Sequence, residues 1–221
     1  MITQKTINHY TMLADLFVYP NGKLFLTFDE AQKFLNDNYP IAAKYLIEFT
    51  NLTKNIPLSK WEEIYTRSFD VQALTTLDMG YVLFGDDYKR GELLVNLNNE
   101  HKKVENDCGT ELADHLPNLL RLIVKLDDND IRRDLIFLII VPALKKVIGE
   151  FENEKIHKKN EIYEKHHRTL INQEESHGKI YQQLLLALLE VLKTDFTEDQ
   201  SSANGDHNFS REITNELEIQ S

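Results

Sequence analysis

Three pairs of histidine and glutamate at helical spacing are the side chains here best suited to metal chemistry. His157 and Glu161 stand four residues apart, Glu164 and His167 three, and Glu174 and His177 three. Such spacings put both ligands on one helix face, as helical di-iron carboxylate sites require. A working site also needs inward-facing ligands from several helices in an apolar shell. Here all six residues share one lysine-rich stretch, residues 149–179. In a charged, solvated helix histidine and glutamate meet at these spacings by chance. The expectation is therefore no metal and no cofactor, with a helical di-iron oxygen-binding or oxidase protein as the alternative. Cys108 is the single cysteine and has no accompanying histidine motif, so neither a disulfide, a cysteine-rich zinc site nor a catalytic thiol is expected. Arg90 has an acid four residues before it, Asp86, and a second acid, Asp114, further along. These read either as an ion pair that fixes helix packing or as the rim of a binding surface. No catalytic constellation emerges, and a binding protein rather than an enzyme is expected.

The elements that would position these residues are helical. Ile7, Tyr10, Leu13, Leu16 and Phe17 recur at helical spacing up to Pro20. Asp29 is placed to cap a short helix carrying Ala31, Phe34 and Leu35. Pro40 suits the first turn of a helix carrying Ala42, Tyr45, Leu46, Phe49 and Leu52. Ser59 and Glu62 form a capping box for a helix with Trp61, Ile64 and Tyr65. Leu93, Leu94 and Leu97 predict a helix over 85–103, in which Gly91 suggests the close approach of another element. Leu116, Leu119, Leu120 and Ile123 share one side of a helix predicted over 112–126, with Pro117 near its start. Residues 131–148 read as helical with a bend or break at Pro142, and 180–192 as an apolar helix returning to the core. No strand pattern or internal repeat is convincing.

Composition bounds the function. Of 221 residues 42% are hydrophobic, enough for one cored domain, and the five prolines and eight glycines are few for a sandwich or barrel. The net charge is −11, and the last 27 residues carry seven acids and one base. The reading is an all-α, single-domain helical bundle over 1–194, with an exposed charged helical insertion at 149–179. Residues 195–221 form an acidic tail predicted to be disordered. An acidic surface speaks against nucleic acid and tolerates a basic peptide. The longest apolar run, 135–144, is too short for a membrane span. With one cysteine and no signal-like N-terminus, the expected compartment is the cytoplasm.

Three ordered blocks carry a resemblance. The first is Tyr65-Thr-Arg-Ser-Phe69-Asp70, preceded upstream by Phe17-Val-Tyr19-Pro20. The second is Phe84-Gly85-Asp86-Asp87-Tyr88-Lys89-Arg90-Gly91, and the third Glu111-Leu112-Ala113-Asp114-His115-Leu116-Pro117. In type and spacing they resemble the NarJ family, the delta-subunit chaperones of nitrate reductases within the TorD/DmsD-like group. Gly85, Asp86, Arg90 and Gly91 fit the family's His-Gly-Asp-Ser-Arg-Asp-Arg-Gly. Phe84, Tyr88, Lys89, Ala113 and His115 depart from its patterns. The resemblance spans roughly residues 7–144, with 180–192 as a closing helix. It implies a TorD/NarJ-like bundle that needs no cofactor. It also implies a chaperone that binds the N-terminal region of the apo catalytic subunit of a molybdopterin-dependent oxidoreductase. That chaperone would assist molybdenum cofactor insertion alongside cofactor biosynthesis proteins, with no nucleic acid and no membrane insertion. The implied client-binding residues are Phe69, Asp70, Leu74, Leu77, Tyr81, Phe84, Gly85, Asp86, Arg90, Gly91, Glu111, Leu112, Asp114, His115, Leu116, Pro117 and Leu120. Among them Leu74, Leu77, Tyr81, Phe84, Leu116 and Leu120 are the candidate pocket lining, each equally at home in a core.

Overall fold

The computed structural model describes residues 7–22, 24–151 and 180–196. The described residues are all-α, and among them no strand occurs beyond one isolated bridge. The helices are α1 (His9–Asp15), α2 (Leu24–Asn38), α3 (Pro40–Thr53), α4 (Leu58–Phe69), α5 (Met79–Phe84), α6 (Tyr88–Lys103), α7 (Leu116–Lys125) and α8 (Asn129–Asp134). A π-helical stretch, Leu135–Ile140, leads into α9 (Val141–Glu150), and α10 covers Ile180–Asp195. No described helix is long and apolar enough to cross a membrane. The His157–His177 pairs and nearly all of the 149–179 insertion and the acidic tail lie outside the described residues.

The chain forms two compact units, neither of them a contiguous stretch. The first takes residues 1–17, 78–143 and 192–221. Its centre is α7, whose Leu116, Leu119, Leu120, Leu122 and Ile123 are all fully buried. The helix starts where Pro117 can stand, because the missing proline N–H falls among donors that have no helical partner at a first turn. The sequence places this helix from 112; the structure starts it at Leu116. α1 packs along α7, and Arg121 Nη2 donates to Asp15 Oδ1 at 2.6 Å between them. Asp128 caps α8 by accepting from the amides of Asp130 and Ile131. Just before Pro142 the backbone widens, and the Val141 amide bonds the Ile136 carbonyl five residues back. Proline cannot donate to the α-ladder, and a π turn ahead of it absorbs the change of register. The predicted tail boundary moves outward by two residues: Asp195 Oδ2 accepts from Tyr10 Oη at 3.1 Å and lies 2.8 Å from His9 Nε2. Phe196 also lies beside the Tyr10 ring.

The second unit takes residues 18–77 and 144–191. Pro40 stands in the first turn of α3, as its fixed φ predicts. Two start signals are corrected. α2 begins at Leu24, because Leu24, Phe28, Ala31 and Leu35 already form one buried stripe, and Asp29 is an exposed interior position rather than a cap. α4 is entered through Pro57 at its N-cap, with no side-chain cap hydrogen bond, so Ser59 and Glu62 do not form the capping box. The core is aromatic. Trp61 Nε1 donates to Tyr181 Oη at 2.9 Å. Phe49, Tyr65 and Phe69 stand edge-on to the Tyr181 ring at 4.9–5.7 Å, spacings at which ring quadrupoles attract. Burial outweighs the Trp61 hydrogen bond and holds the Tyr181 hydroxyl well above the ordinary tyrosine range.

Candidate functional site

In the first unit the second and third blocks meet. α5 ends at Phe84 because Gly85 turns to φ +63°, where a side chain would be strained, and its amide closes on the Tyr81 carbonyl at 2.7 Å. Asp87 then caps α6 by accepting from the Lys89 amide at 3.0 Å. One turn in, Arg90 turns inward. Its Nε donates to Asp114 Oδ2 at 2.9 Å, and its Nη2 to Asp78 Oδ2 at 3.0 Å and Asp114 Oδ1 at 3.3 Å. His115 Nδ1 lies 3.0 Å from the other Asp78 oxygen and 4.0 Å from Glu111 Oε2. The Met79 amide donates to the Asp114 carbonyl at 2.9 Å, within the antiparallel bridge of Asp78 and His115. The residues ahead of α5 and those ahead of α7 are thus stitched by both backbone and side chains.

Burial grades this cluster. The Asp114 side chain is 0% exposed, Arg90 16% and Asp78 24%. Burial alone would raise the Asp78 carboxyl. The hydrogen bond and charge of His115, with the Arg90 charge, outweigh it and hold that carboxyl below its ordinary value. Burial works against the Arg90 charge too, and the Asp114 hydrogen bond more than restores it. A carboxylate held down in this way is a fixed anion rather than a proton shuttle near neutral pH.

The segment that delivers Asp114 and His115 hangs on a buried brace. Asn106 Nδ2 donates to His101 Nδ1 at 2.9 Å, which leaves the ring proton on Nε2, 3.0 Å from the Ala113 carbonyl. Asn106 also reaches the Asn118 carbonyl at 3.2 Å, and Asn118 Nδ2 donates to the carbonyls of Leu112 and Cys108. Burial, aided by the nearby Lys125 charge, lowers the His101 pKa despite the Ala113 bond. The unfolded chain then takes up this proton first as pH falls below the ordinary histidine value of 6.5. Stability from this group is complete above that value and is lost progressively as the pH drops towards the depressed folded pKa. Urea unfolding at pH 7.5 and 5.5 is expected to show a smaller acid loss in His101→Gln than in the parent chain. Equal losses would contradict the brace.

The predicted residues divide as follows. Tyr81, exposed beneath the Arg90 guanidinium at 5.1 Å from its ring centroid, belongs to the cluster with Arg90, Glu111, Asp114 and His115. Exposed Leu112 and half-buried Phe84 lie on the same two blocks. Leu116, Pro117 and Leu120 are buried in the core of this unit. Phe69, Leu74 and Leu77 are buried in the second unit, and Asp70 is the exposed C-cap of α4. Of the two acids the sequence offered to Arg90, the structure selects Asp114 and adds Asp78, while Asp86 lies exposed in the turn before the helix. The reading of Gly91 is corrected. Gly91 is exposed, and a Cβ there would meet nothing within 4 Å. The close approach belongs to Gly80, where a Cβ would lie 2.6 Å from Asp114 Oδ2 and 2.9 Å from Leu93 Cδ2. Gly91→Ala is accordingly expected to stabilise the fold by about 0.5–1 kcal/mol in urea melts, the intrinsic helix gain; a loss would contradict this assignment. Asp78 was missed. Its only sequence signal is an acid ahead of Met79-Gly80, at what proves to be the N-cap of a six-residue helix.

Compared with known proteins, the chain matches no family model and no curated protein.

Proposed function

We propose that the chain is a client-binding chaperone of the NarJ kind, dedicated to the apo catalytic subunit of a molybdopterin-dependent oxidoreductase in the cytoplasm. The observation that carries this reading is the convergence of two of the three resembling blocks on Asp78, Arg90, Asp114 and His115. Exposed Tyr81 and Glu111 touch that cluster, and exposed Leu112 and Asp86 lie on the same two blocks. An N-terminal client segment that folds as an amphipathic helix offers apolar anchors at i, i+3/i+4 and i+7, with basic groups to meet such a rim. Apolar contact supplies affinity, and the fixed charges set register. Bound in this way, the client's N-terminus is held back from membrane attachment or export while its cofactor is inserted. Neither metal nor cofactor of the chaperone's own takes part, and cofactor biosynthesis proteins are natural third partners.

The direct test is affinity purification of the tagged full chain from its native host, followed by mass spectrometry. A molybdoenzyme catalytic subunit lacking its cofactor is expected to be the dominant co-purifying protein. Recovery of the chain with no molybdoenzyme subunit, under conditions where one is synthesised, contradicts the proposal.

A further inference from the structure

The brace beneath Asp114 and His115 holds together with only one proton on the His101 ring. Asn106 Nδ2 reaches both His101 Nδ1 at 2.9 Å and the Asn118 carbonyl at 3.2 Å. A carbonyl only accepts, so the amide presents its NH2 group to both, and Nδ1 has to be an acceptor. The other ring nitrogen, Nε2, donates to the Ala113 carbonyl at 3.0 Å. A second ring proton would set Nδ1–H against the Asn106 NH2, donor against donor. Turning the amide over would satisfy Nδ1–H but set Oδ1 against the Asn118 carbonyl, acceptor against acceptor. His101, Asn106 and Asn118 are all buried, so neither mismatch is relieved while the brace stays closed.

Among the described residues no carboxylate faces the ring to offset such a proton. Lys125 of α7 faces it with like charge and donates to the Glu105 carbonyl at 2.9 Å. On α6 itself Lys102 is exposed, and Glu100 is paired with Lys103 at 2.6 Å. Glu105 and Asp107 are exposed. His115 works the other way, because a proton there strengthens its contact with Asp78. The part that can yield is the segment 107–112, whose residues are all exposed or half-buried. Its moorings are polar: His101 on the Ala113 carbonyl, the Asn106 side chain, and the Asn118 amide on the Cys108 and Leu112 carbonyls. Just ahead of it Glu105 holds φ +51°, a left-handed conformation that strains a non-glycine residue. Release relieves that strain and uncovers little apolar surface, which marks an element able to open without global unfolding.

We infer that His101 and Asn106 form an acid-released latch, in which protonation of the His101 ring frees the segment 107–113 that leads into Asp114 and His115. Burial and the Lys125 charge both disfavour the second proton, so the latch is closed at neutral pH and opens below the ordinary histidine value of 6.5. The cluster of Asp78, Arg90, Asp114 and His115 is then rigid at neutral pH and loosened by acid. The inference does not depend on the chaperone reading.

Cys108, the chain's single cysteine, lies half-buried in this segment and reports its opening. The test is the rate at which Cys108 of the full chain reacts with 4,4′-dithiodipyridine from pH 7.5 down to pH 5. Each rate is divided by that of a free peptide of residues 106–112, which removes the fall in thiolate and the reagent's own titration. The ratio is expected to rise at least about tenfold towards pH 5 in the parent chain. It should stay level in His101→Gln, which keeps an N–H for Ala113 and gains no charge. Far-UV circular dichroism should not change over the range, and ring-nitrogen NMR of the parent should show His101 titrating where the ratio climbs. If His101→Gln is labelled fast at every pH, glutamine has failed to hold the brace, and the match between ring titration and climb in the parent decides. A level ratio in the parent, an equal climb in both chains, a His101 titration outside the climb, or a climb only with loss of helix each overturns the inference.

Discussion

Arg90→Ala is expected to destabilise the chain by about 3–5 kcal/mol, the range for removing one partner of a buried ion pair. The reason is Asp114. Its side chain is 0% exposed and takes two donors from the guanidinium. Without Arg90 the carboxylate is left buried beside Gly80 and Leu93 with no counter-charge. The loss is thus far above the 0–1 kcal/mol of an exposed pair. Asp114→Asn in the Arg90→Ala background should recover part of it, because a neutral amide is less costly to bury than an unpaired ion. Arg90→Lys should fall between, since an ammonium cannot reproduce the fork that spans Asp114 and Asp78. Chemical denaturation measures all three variants against the parent chain. A loss below about 1 kcal/mol for Arg90→Ala would place the pair among ordinary surface contacts. The same variant is expected to lower client maturation, by undoing the geometry that holds His115 against Asp78.

Gly80→Ala is expected to cost about 1–3 kcal/mol through overpacking, despite alanine's better helix propensity. Its Cβ would stand 2.6 Å from Asp114 Oδ2 and 2.9 Å from Leu93 Cδ2. Leu93 can give way. Asp114 cannot move freely, because Arg90 grips its carboxylate and the Met79 amide holds its carbonyl. Gly91→Ala, on the neighbouring helix, carries the opposite sign. The two substitutions form a matched pair, read by denaturant melts under one condition. A stabilising Gly80→Ala would mean that Asp114 has room to move, and the rigid cluster would not exist.

The contrast between these glycines shows what the sequence could and could not reveal. Local rules placed the helices well where the signal is local. Pro40 opens α3, Pro117 stands in the first turn of α7, and the apolar run after Ile180 returns to the core as α10. Local rules failed where two signals competed. The Ser59–Glu62 pattern yielded to Pro57, and the Asp29 cap yielded to a buried stripe that begins five residues earlier. For the candidate site the sequence supplied Arg90, Asp114 and His115 and offered both Asp86 and Asp114 as acids to pair with Arg90. The structure selects Asp114, 24 residues away, over Asp86, four residues away, and adds Asp78, 12 residues away. Spacing along one helix carries no information about which side chain the next segment brings across. The same blindness hid Asp78, whose role exists only through the bridge to His115. It also moved the close-approach glycine from Gly80 to Gly91, because both are helical glycines until the fold places Asp114 against one of them.

The central claim, that the surface around this cluster holds a client's N-terminal segment, is tested most directly by isothermal calorimetry at several temperatures. The titrant is the N-terminal peptide of a molybdoenzyme catalytic subunit from the same host. Binding with a negative heat-capacity change is predicted, because apolar surface is buried. Tyr81→Ser and Leu112→Ser, both at exposed positions, are predicted to weaken it about tenfold or more while leaving the melting temperature in place. Absence of binding, or an affinity that neither substitution alters, would contradict the account.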